Sequence, residues 1–289
     1  MNINNSPVVF LNGKWIQASD TMGGSLGYSM PTVNGVFDGL RAYGTNIGPQ
    51  IFKPKEHFKR LHWACSRMAV GLNYSSEDLT EIAYQFLEKN DLQDAYIRVI
   101  AYLNGEAEAP FLLMTAWEWE RNLTIDPLKV MVYQSKASRP APVDTKSCGN
   151  YVQSVLATME ARTNGFDDVL WIDSKGFVTE GAGANFFFEK DEVLYTPPSN
   201  RVLPGITRAT VIGYAREMGY KVVEKKFKAE DLVEADMAFF TSTTAEITGI
   251  QSIGGHEFEM DWEDTVGYSL FLMYRQRVVN NEFRDFTLV

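Results

Sequence analysis

The clearest chemical signals in this chain are segments whose backbone N–H groups could meet an anion. Leu203-Pro204-Gly205-Ile206-Thr207-Arg208 opens a helical pattern, and the exposed N–H groups and positive dipole end of a helix start favour a bound anion. The plainer alternative is a helix capped by the Thr207 side chain, and the residues alone leave both open. Thr241-Ser242-Thr243-Thr244-Ala245 follows a strand pattern and gathers hydroxyls and N–H groups in one turn. It reads as a second phosphate cradle or as a polar turn. Nothing comparable points to a metal or a histidine triad. His57, His62 and His256 are scattered, and the five-residue step between the first two does not give the shared helix face of a zinc site. No dinucleotide fingerprint or P-loop is present.

The elements that must position these residues can be read from periodicity. Val8–Leu11, the turn Asn12-Gly13 and Lys14–Ile16 predict a hairpin. Pro54 opens a helix whose apolar stripe is Phe58, Leu61, Cys65 and Met68, with Arg60 off that stripe. Ser75, with Asp78 in the first turn, opens a second helix. Strands are expected from Tyr96 to Leu103 and from Phe111 to Ala116, and the aromatic, polar run 117–127 as a linker. Beyond it the pattern predicts a strand at Val130–Tyr133, a helix from about Asn150 to Asn164 and a hairpin across Asp173–Gly176. Further strands follow at Asn185–Phe188 and Val193–Tyr195. Thr207 opens a helix to Met218, a short helix spans about Ala229 to Ala235, and Met237–Thr241 is a strand. A last amphipathic helix covers about Trp262–Val279. The sum is two lobes mixing helix and strand without regular βαβ alternation, which argues against a doubly wound sheet.

Bulk properties narrow the partners. The 289 residues suffice for two domains with their own cores. A net charge of -10 argues against nucleic acid or an anionic membrane surface. No stretch approaches the roughly 18 apolar residues of a spanning helix. The N-terminus lacks a signal-peptide pattern, and Cys65 and Cys148 read as reduced thiols, so the expected setting is cytoplasmic.

Seven segments, in order, resemble the class IV pyridoxal-phosphate aminotransferases of the branched-chain type. They are Val36-Phe37-Asp38-Gly39-Leu40-Arg41, Glu56-His57-Phe58-Lys59-Arg60-Leu61, Ala95-Tyr96-Ile97-Arg98, Lys146-Ser147-Cys148-Gly149-Asn150-Tyr151, Thr179-Glu180-Gly181-Ala182-Gly183-Ala184-Asn185, Leu203–Arg208 and Thr243-Thr244-Ala245-Glu246-Ile247-Thr248. The resemblance implies an α/β (α+β) two-domain enzyme of fold type IV. A small domain would span residues 1–117, a linker 118–127 and a larger β-barrel-like domain 128–289, with pyridoxal 5'-phosphate in the cleft between the two. Lys146 would carry the cofactor as a Schiff base and then act as the base that moves the substrate proton. Glu180 would pair with the pyridine nitrogen and Tyr151 with the ring's phenolic oxygen. Arg60 and the N–H groups of Ile206, Thr207, Thr243 and Thr244 would hold the phosphate. Phe37, Arg41, Tyr96, Arg98, Thr244 and Ala245 would shape the substrate site. A buried arginine is costly without a partner, so Arg98 is expected to rest against a tyrosine or carboxylate.

Three segments depart from the family pattern, all on the substrate side: Tyr28–Asn34, the run Ala116-Trp117-Glu118-Trp119-Glu120, and a shortened approach to Lys146. The expected reaction is ping-pong transfer between an aliphatic, branched-chain L-amino acid and 2-oxoglutarate in a homodimer. The alternatives are a D-amino-acid aminotransferase, an aminodeoxychorismate-lyase-like enzyme and a non-catalytic relative. Val99 and Ile100 after Arg98, in place of an Arg-x-His pair, count against the first.

Overall fold

A computed structural model describes residues 7–18, 35–103, 110–119, 126–134 and 142–280. The altered stretch Tyr28–Asn34 and most of the expected linker lie outside the described residues. Contacts divide the chain into two units. The first takes residues 1–121, 145–150 and 278–285, and the second takes 122–144, 151–277 and 286–289.

The first unit is built on a six-stranded antiparallel sheet. Its strands are β1 (Val8–Leu11), β2 (Lys14–Gln17), β3 (Gly35–Thr45), β4 (Gly48–Ile51), β5 (Ala95–Tyr102) and β6 (Phe111–Glu118), in the order β2-β1-β6-β5-β3-β4. The Asn12-Gly13 turn works because both residues accept positive φ, 47° and 81°. Helices α1 (Pro54–Arg67) and α2 (Ser76–Lys89) supply the apolar side chains that cover one sheet face. Ser75 and Asp78 make the capping box of α2 reciprocally, Asp78 N–H to Ser75 Oγ at 3.0 Å and Ser75 N–H to Asp78 Oδ2 at 2.8 Å.

Strand side chains alternate between faces. Val36, Leu40 and Ala42 of β3 and Ile97, Val99 and Ala101 of β5 join Phe58, Leu61 and Phe86 in the helix-covered core. Phe37, Arg41, Tyr96 and Arg98 therefore fall on the other face. β6 runs two residues past the expected strand, through Trp117 and Glu118, because these pair with Tyr96 and Ala95. Trp117 and Glu118, expected to lie outside the strand, are therefore part of it.

The second unit holds β7 (Leu128–Gln134), β8 (Asp168–Ile172), β9 (Val178–Gly181), β10 (Asn185–Lys190), β11 (Val193–Thr196), β12 (Lys221–Glu224), β13 (Met237–Ser242), β14 (Glu246–Ile253) and β15 (His256–Glu257). Helix α3 (Cys148–Thr163) links the parallel pair β7 and β8, and α4 (Ile206–Glu217) links the parallel pair β11 and β12. The sheet runs β10-β13-β14-β7-β8-β9, and pairing of Asn185 with Glu180 joins β9 back to β10. The six strands thus close on themselves around Val130, Leu170, Phe186, Phe188, Phe240 and Ile250. A Cβ on Gly181 would lie 2.9 Å from the Phe240 ring, so this position needs glycine.

Two helix starts differ from expectation. α4 begins at Ile206 with Gly205 as its N-cap and no side-chain cap, so Thr207 lies inside the first turn and does not cap it. The final helix pattern is broken at Thr265. A short turn, Trp262–Asp264, precedes α5 (Val266–Asn280), and Thr265 Oγ1 donates to Trp262 O at 2.7 Å while accepting from Tyr268 N–H at 3.0 Å.

Candidate active site

Lys146 is tied to the first sheet through its backbone. Phe37 N–H donates to Lys146 O at 2.9 Å, and Ser147 forms an isolated bridge with Val36. These bonds lay the lysine segment along β3 before Cys148 turns into α3. Lys146 Nζ then stands 5.1 Å from the centroid of the Phe37 ring. Tyr151 lies in the first turns of α3.

The register of β3, β5 and β6 explains how the residues expected at the substrate site come together. Phe37 pairs with Ile100, Gly39 with Arg98 and Arg41 with Tyr96, while Tyr96 and Arg98 pair with Trp117 and Thr115 of β6. The Arg98 guanidinium lies 5.4 Å from the Phe37 ring centre, 5.6 Å from that of Tyr96 and 5.4 Å from that of Trp117. Cation–π contacts of this kind are each worth about 0.5–2 kcal/mol. The expected tyrosine is present as a ring face, together with two further rings. Arg98 Nε is buried and has no hydrogen-bond partner among the described residues, so the guanidinium keeps capacity for an anion. Arg41 stacks in the same way, 5.0 Å from Tyr43 and 5.4 Å from Trp119. Gly39 is obligatory here, because a Cβ would fall 2.0 Å from the Tyr96 hydroxyl. Cys148 lies close by; burial pushes its thiol up, and Arg98 opposes this only in part.

Arg60 is not the free helix-surface arginine that its position off the apolar stripe suggested. It is 8% exposed and ion-paired with Asp38, which is fully buried. Arg60 Nε donates to Asp38 Oδ2 and Nη2 to Oδ1, both at 2.8 Å. His57 Nδ1 meets Oδ1 at 2.8 Å and Gly39 N–H donates to it at 2.7 Å. Burial alone would push the Asp38 carboxyl up, but Arg60 and His57 outweigh it and hold the group well below the usual carboxylate range. Burial pushes His57 down, against the pull of Asp38. His57 is therefore not isolated, as its sequence position implied. Part of the signal lay in the sequence: Asp38 is the one charge on a strand face otherwise made of Val36, Leu40 and Ala42, although which residues meet it is set by the fold.

In the second unit, Glu180 is 7% exposed. It accepts from Leu203 N–H at 3.0 Å and from Asn185 Nδ2 at 3.4 Å, and Asn185 Nδ2 also donates to Leu203 O at 2.9 Å. Asn185 thus ties the carboxylate to the loop leading into α4. A Cβ on Gly205 would fall 1.9 Å from Asn185 Oδ1, so glycine is required for this approach. The first N–H groups of α4, including those of Ile206 and Thr207, have no acceptor within the helix and no side-chain cap. Thr241 pairs with Asn185, and its buried Oγ1 has no partner among the described residues. The turn Thr243–Ala245 joins β13 to β14. Ser242 Oγ accepts from Ala245 N–H at 2.9 Å and lies 3.2 Å from Thr244 Oγ1. Sequence reading missed Asn185 and Thr241 as individuals, since their roles depend on cross-strand neighbours.

The chain as a whole is similar to known proteins. The chain is 33% identical over 263 residues to a branched-chain-amino-acid aminotransferase of Pseudomonas aeruginosa, covering 86% of each chain. It superposes on the branched-chain amino acid aminotransferase of Thermobaculum terrenum in its PLP form with TM-score 0.89 and 28% identity, covering 97% of each chain. A T.th. branched-chain amino acid aminotransferase complexed with N-(5'-phosphopyridoxyl)-L-glutamate matches with TM-score 0.88 and 30% identity, covering 96% of each chain. The family model for amino-transferase class IV matches residues 35–253, and the chain belongs to that family.

Proposed function

We propose that this chain transfers the amino group of a branched-chain L-amino acid to 2-oxoglutarate, with pyridoxal 5'-phosphate as cofactor. The observation that carries this is the shared sheet face of Phe37, Tyr96 and Arg98, with Lys146 Nζ 5.1 Å from the Phe37 ring. Apolar rings suit an aliphatic side chain, and an arginine with an unmet donor suits the distal carboxylate of glutamate. The names of the relatives, and the glutamate adduct bound by one of them, support the same pair of substrates.

The residues fit this cofactor. Glu180 is a buried carboxylate already anchored by Leu203 and Asn185, suited to pair with a protonated ring nitrogen. The uncapped start of α4 at Ile206 and Thr207, the Thr243–Thr244 turn and Arg60 would hold the phosphate. Tyr151 would meet the phenolic oxygen. When bound, pyridoxal phosphate supplies the carbon that accepts the amino group and a ring that withdraws electron density. Lys146 Nζ would take the proton from the substrate α-carbon and hold it for return later in the half-reaction. Arg98 orients a distal carboxylate, Arg41 supports the same face, and Thr244 and Ala245 border the α-carboxylate. The reading implies a cytoplasmic homodimer with two domains. Among the described residues no helix is long and apolar enough to cross a membrane.

The test is an amino-donor panel at fixed 2-oxoglutarate. Turnover with leucine, isoleucine or valine is expected, along with a visible or near-ultraviolet absorbance band that Lys146→Ala abolishes. Turnover confined to D-amino acids, or pyruvate release from aminodeoxychorismate without transamination, would overturn the reading.

A further inference from the structure

The Thr243–Ala245 turn ends on a strained residue. Glu246 has φ +56°, the left-handed region that favours glycine. Ser242 pairs with Glu246, so Glu246 is the first paired residue after the turn Thr243–Ala245, and a left-handed position of this kind is most readily taken by glycine. Such strain costs on the order of 1 kcal/mol or more and persists only where the surroundings over-determine it.

The surroundings do so here. Glu246 is 4% exposed, and Arg275 Nε of α5 donates to its Oε2 at 2.9 Å. The Arg275 guanidinium also stacks 4.8 Å from the Phe271 ring, which fixes its direction. On the far side of the turn Thr248 Oγ1 donates to Ala245 O at 3.0 Å. A glycine would satisfy the backbone without strain, so the carboxylate is what the position requires.

We propose that Glu246, held by Arg275, is a positioning residue that keeps the Thr243–Thr244 turn in the shape that receives a phosphate group. This rests on the proposed phosphate role of that turn. The ion pair reaches from α5, 29 residues further along the chain, and pins the left-handed residue that closes the turn. Glu246 acts through the backbone and touches no reacting atom.

The experiment compares binding of pyridoxal 5'-phosphate and of pyridoxal, which lacks the phosphate, to the cofactor-free full-length chain by fluorescence quenching. The variants are Glu246→Gly, Glu246→Gln and Arg275→Lys. Pyridoxal affinity reports on the fold and on Lys146, and the ratio of the two affinities reports on the phosphate site. Glu246→Gly keeps the left-handed backbone while deleting the clamp, and should lower the ratio about tenfold, the size of one charge-assisted hydrogen-bond contribution. Glu246→Gln and Arg275→Lys should lower it in the same direction. A wild-type ratio in Glu246→Gly and Arg275→Lys overturns the proposal, because the pair would then be structural only. If the wild type itself binds both compounds equally, the phosphate reading of the turn fails, and this proposal fails with it.

Discussion

Asp38→Asn is the substitution whose outcome follows most directly from the geometry. Asparagine keeps the shape of the side chain but removes the charge from a site with no solvent access. Arg60 loses both 2.8 Å bonds to a carboxylate, and its guanidinium is left buried with a weaker partner. Removing one member of such a pair costs about 3–5 kcal/mol. At roughly 2–4 °C per kcal/mol for a domain of this size, the melting temperature should fall on the order of 10 °C. Differential scanning calorimetry on the cofactor-free protein measures this. The double variant Asp38→Asn/Arg60→Gln should lose less than the sum of the single losses, because the two share one interaction. A fall of less than about 2 °C, or strict additivity, would refute the idea that this pair is a stabilising unit. The pH dependence carries the same logic. His57 is held below its ordinary value of 6.5, so folding resists its protonation and stability begins to drop as pH falls past that value. Asp38 is held below its ordinary 3.8, so its contribution is complete at neutral pH and is lost on further acidification through and below that value. Asp38→Asn should remove this second, lower stage.

Three other outcomes follow. Gly205→Ala drives a Cβ to within 1.9 Å of Asn185 Oδ1, so Asn185 must give up its bonds to Glu180 and Leu203. A loss of about 1–3 kcal/mol in stability and weaker cofactor binding should appear in thermal melts and titrations. Arg98→Leu should raise KM for 2-oxoglutarate at least about tenfold, as expected for loss of one charged contact, while the single-turnover half-reaction with leucine changes little. An equal effect on both would argue against a carboxylate role. Gly39→Ala places a Cβ 2.0 Å from the Tyr96 hydroxyl and should displace that ring, raising KM for both substrates and costing about 1–3 kcal/mol of stability.

The division between what was readable in the chain and what was not follows the range of the forces involved. Hydrophobic alternation and short-range turn chemistry place the β1–β2 hairpin, both helices of the first unit and the strands around Asn185, because each depends on neighbours a few residues away. The order of seven motifs is likewise a property of the chain, and it points to the family without any coordinates. The fate of a polar side chain on a buried face depends on what arrives from far along the sequence. Arg60 looked free because it lies off the apolar stripe of its own helix, and the carboxylate that holds it, Asp38, lies 22 residues away. Thr207 looked like a cap because Thr is a good one, yet the helix starts earlier, where Gly205 is needed to clear Asn185. Trp117 read as linker until cross-strand pairing with Tyr96 made it part of the wall around Arg98. Residue order along the chain was enough to mark the family. Which buried charges are paired belongs to the fold, because pairing is set by cross-strand register and helix packing rather than by local spacing.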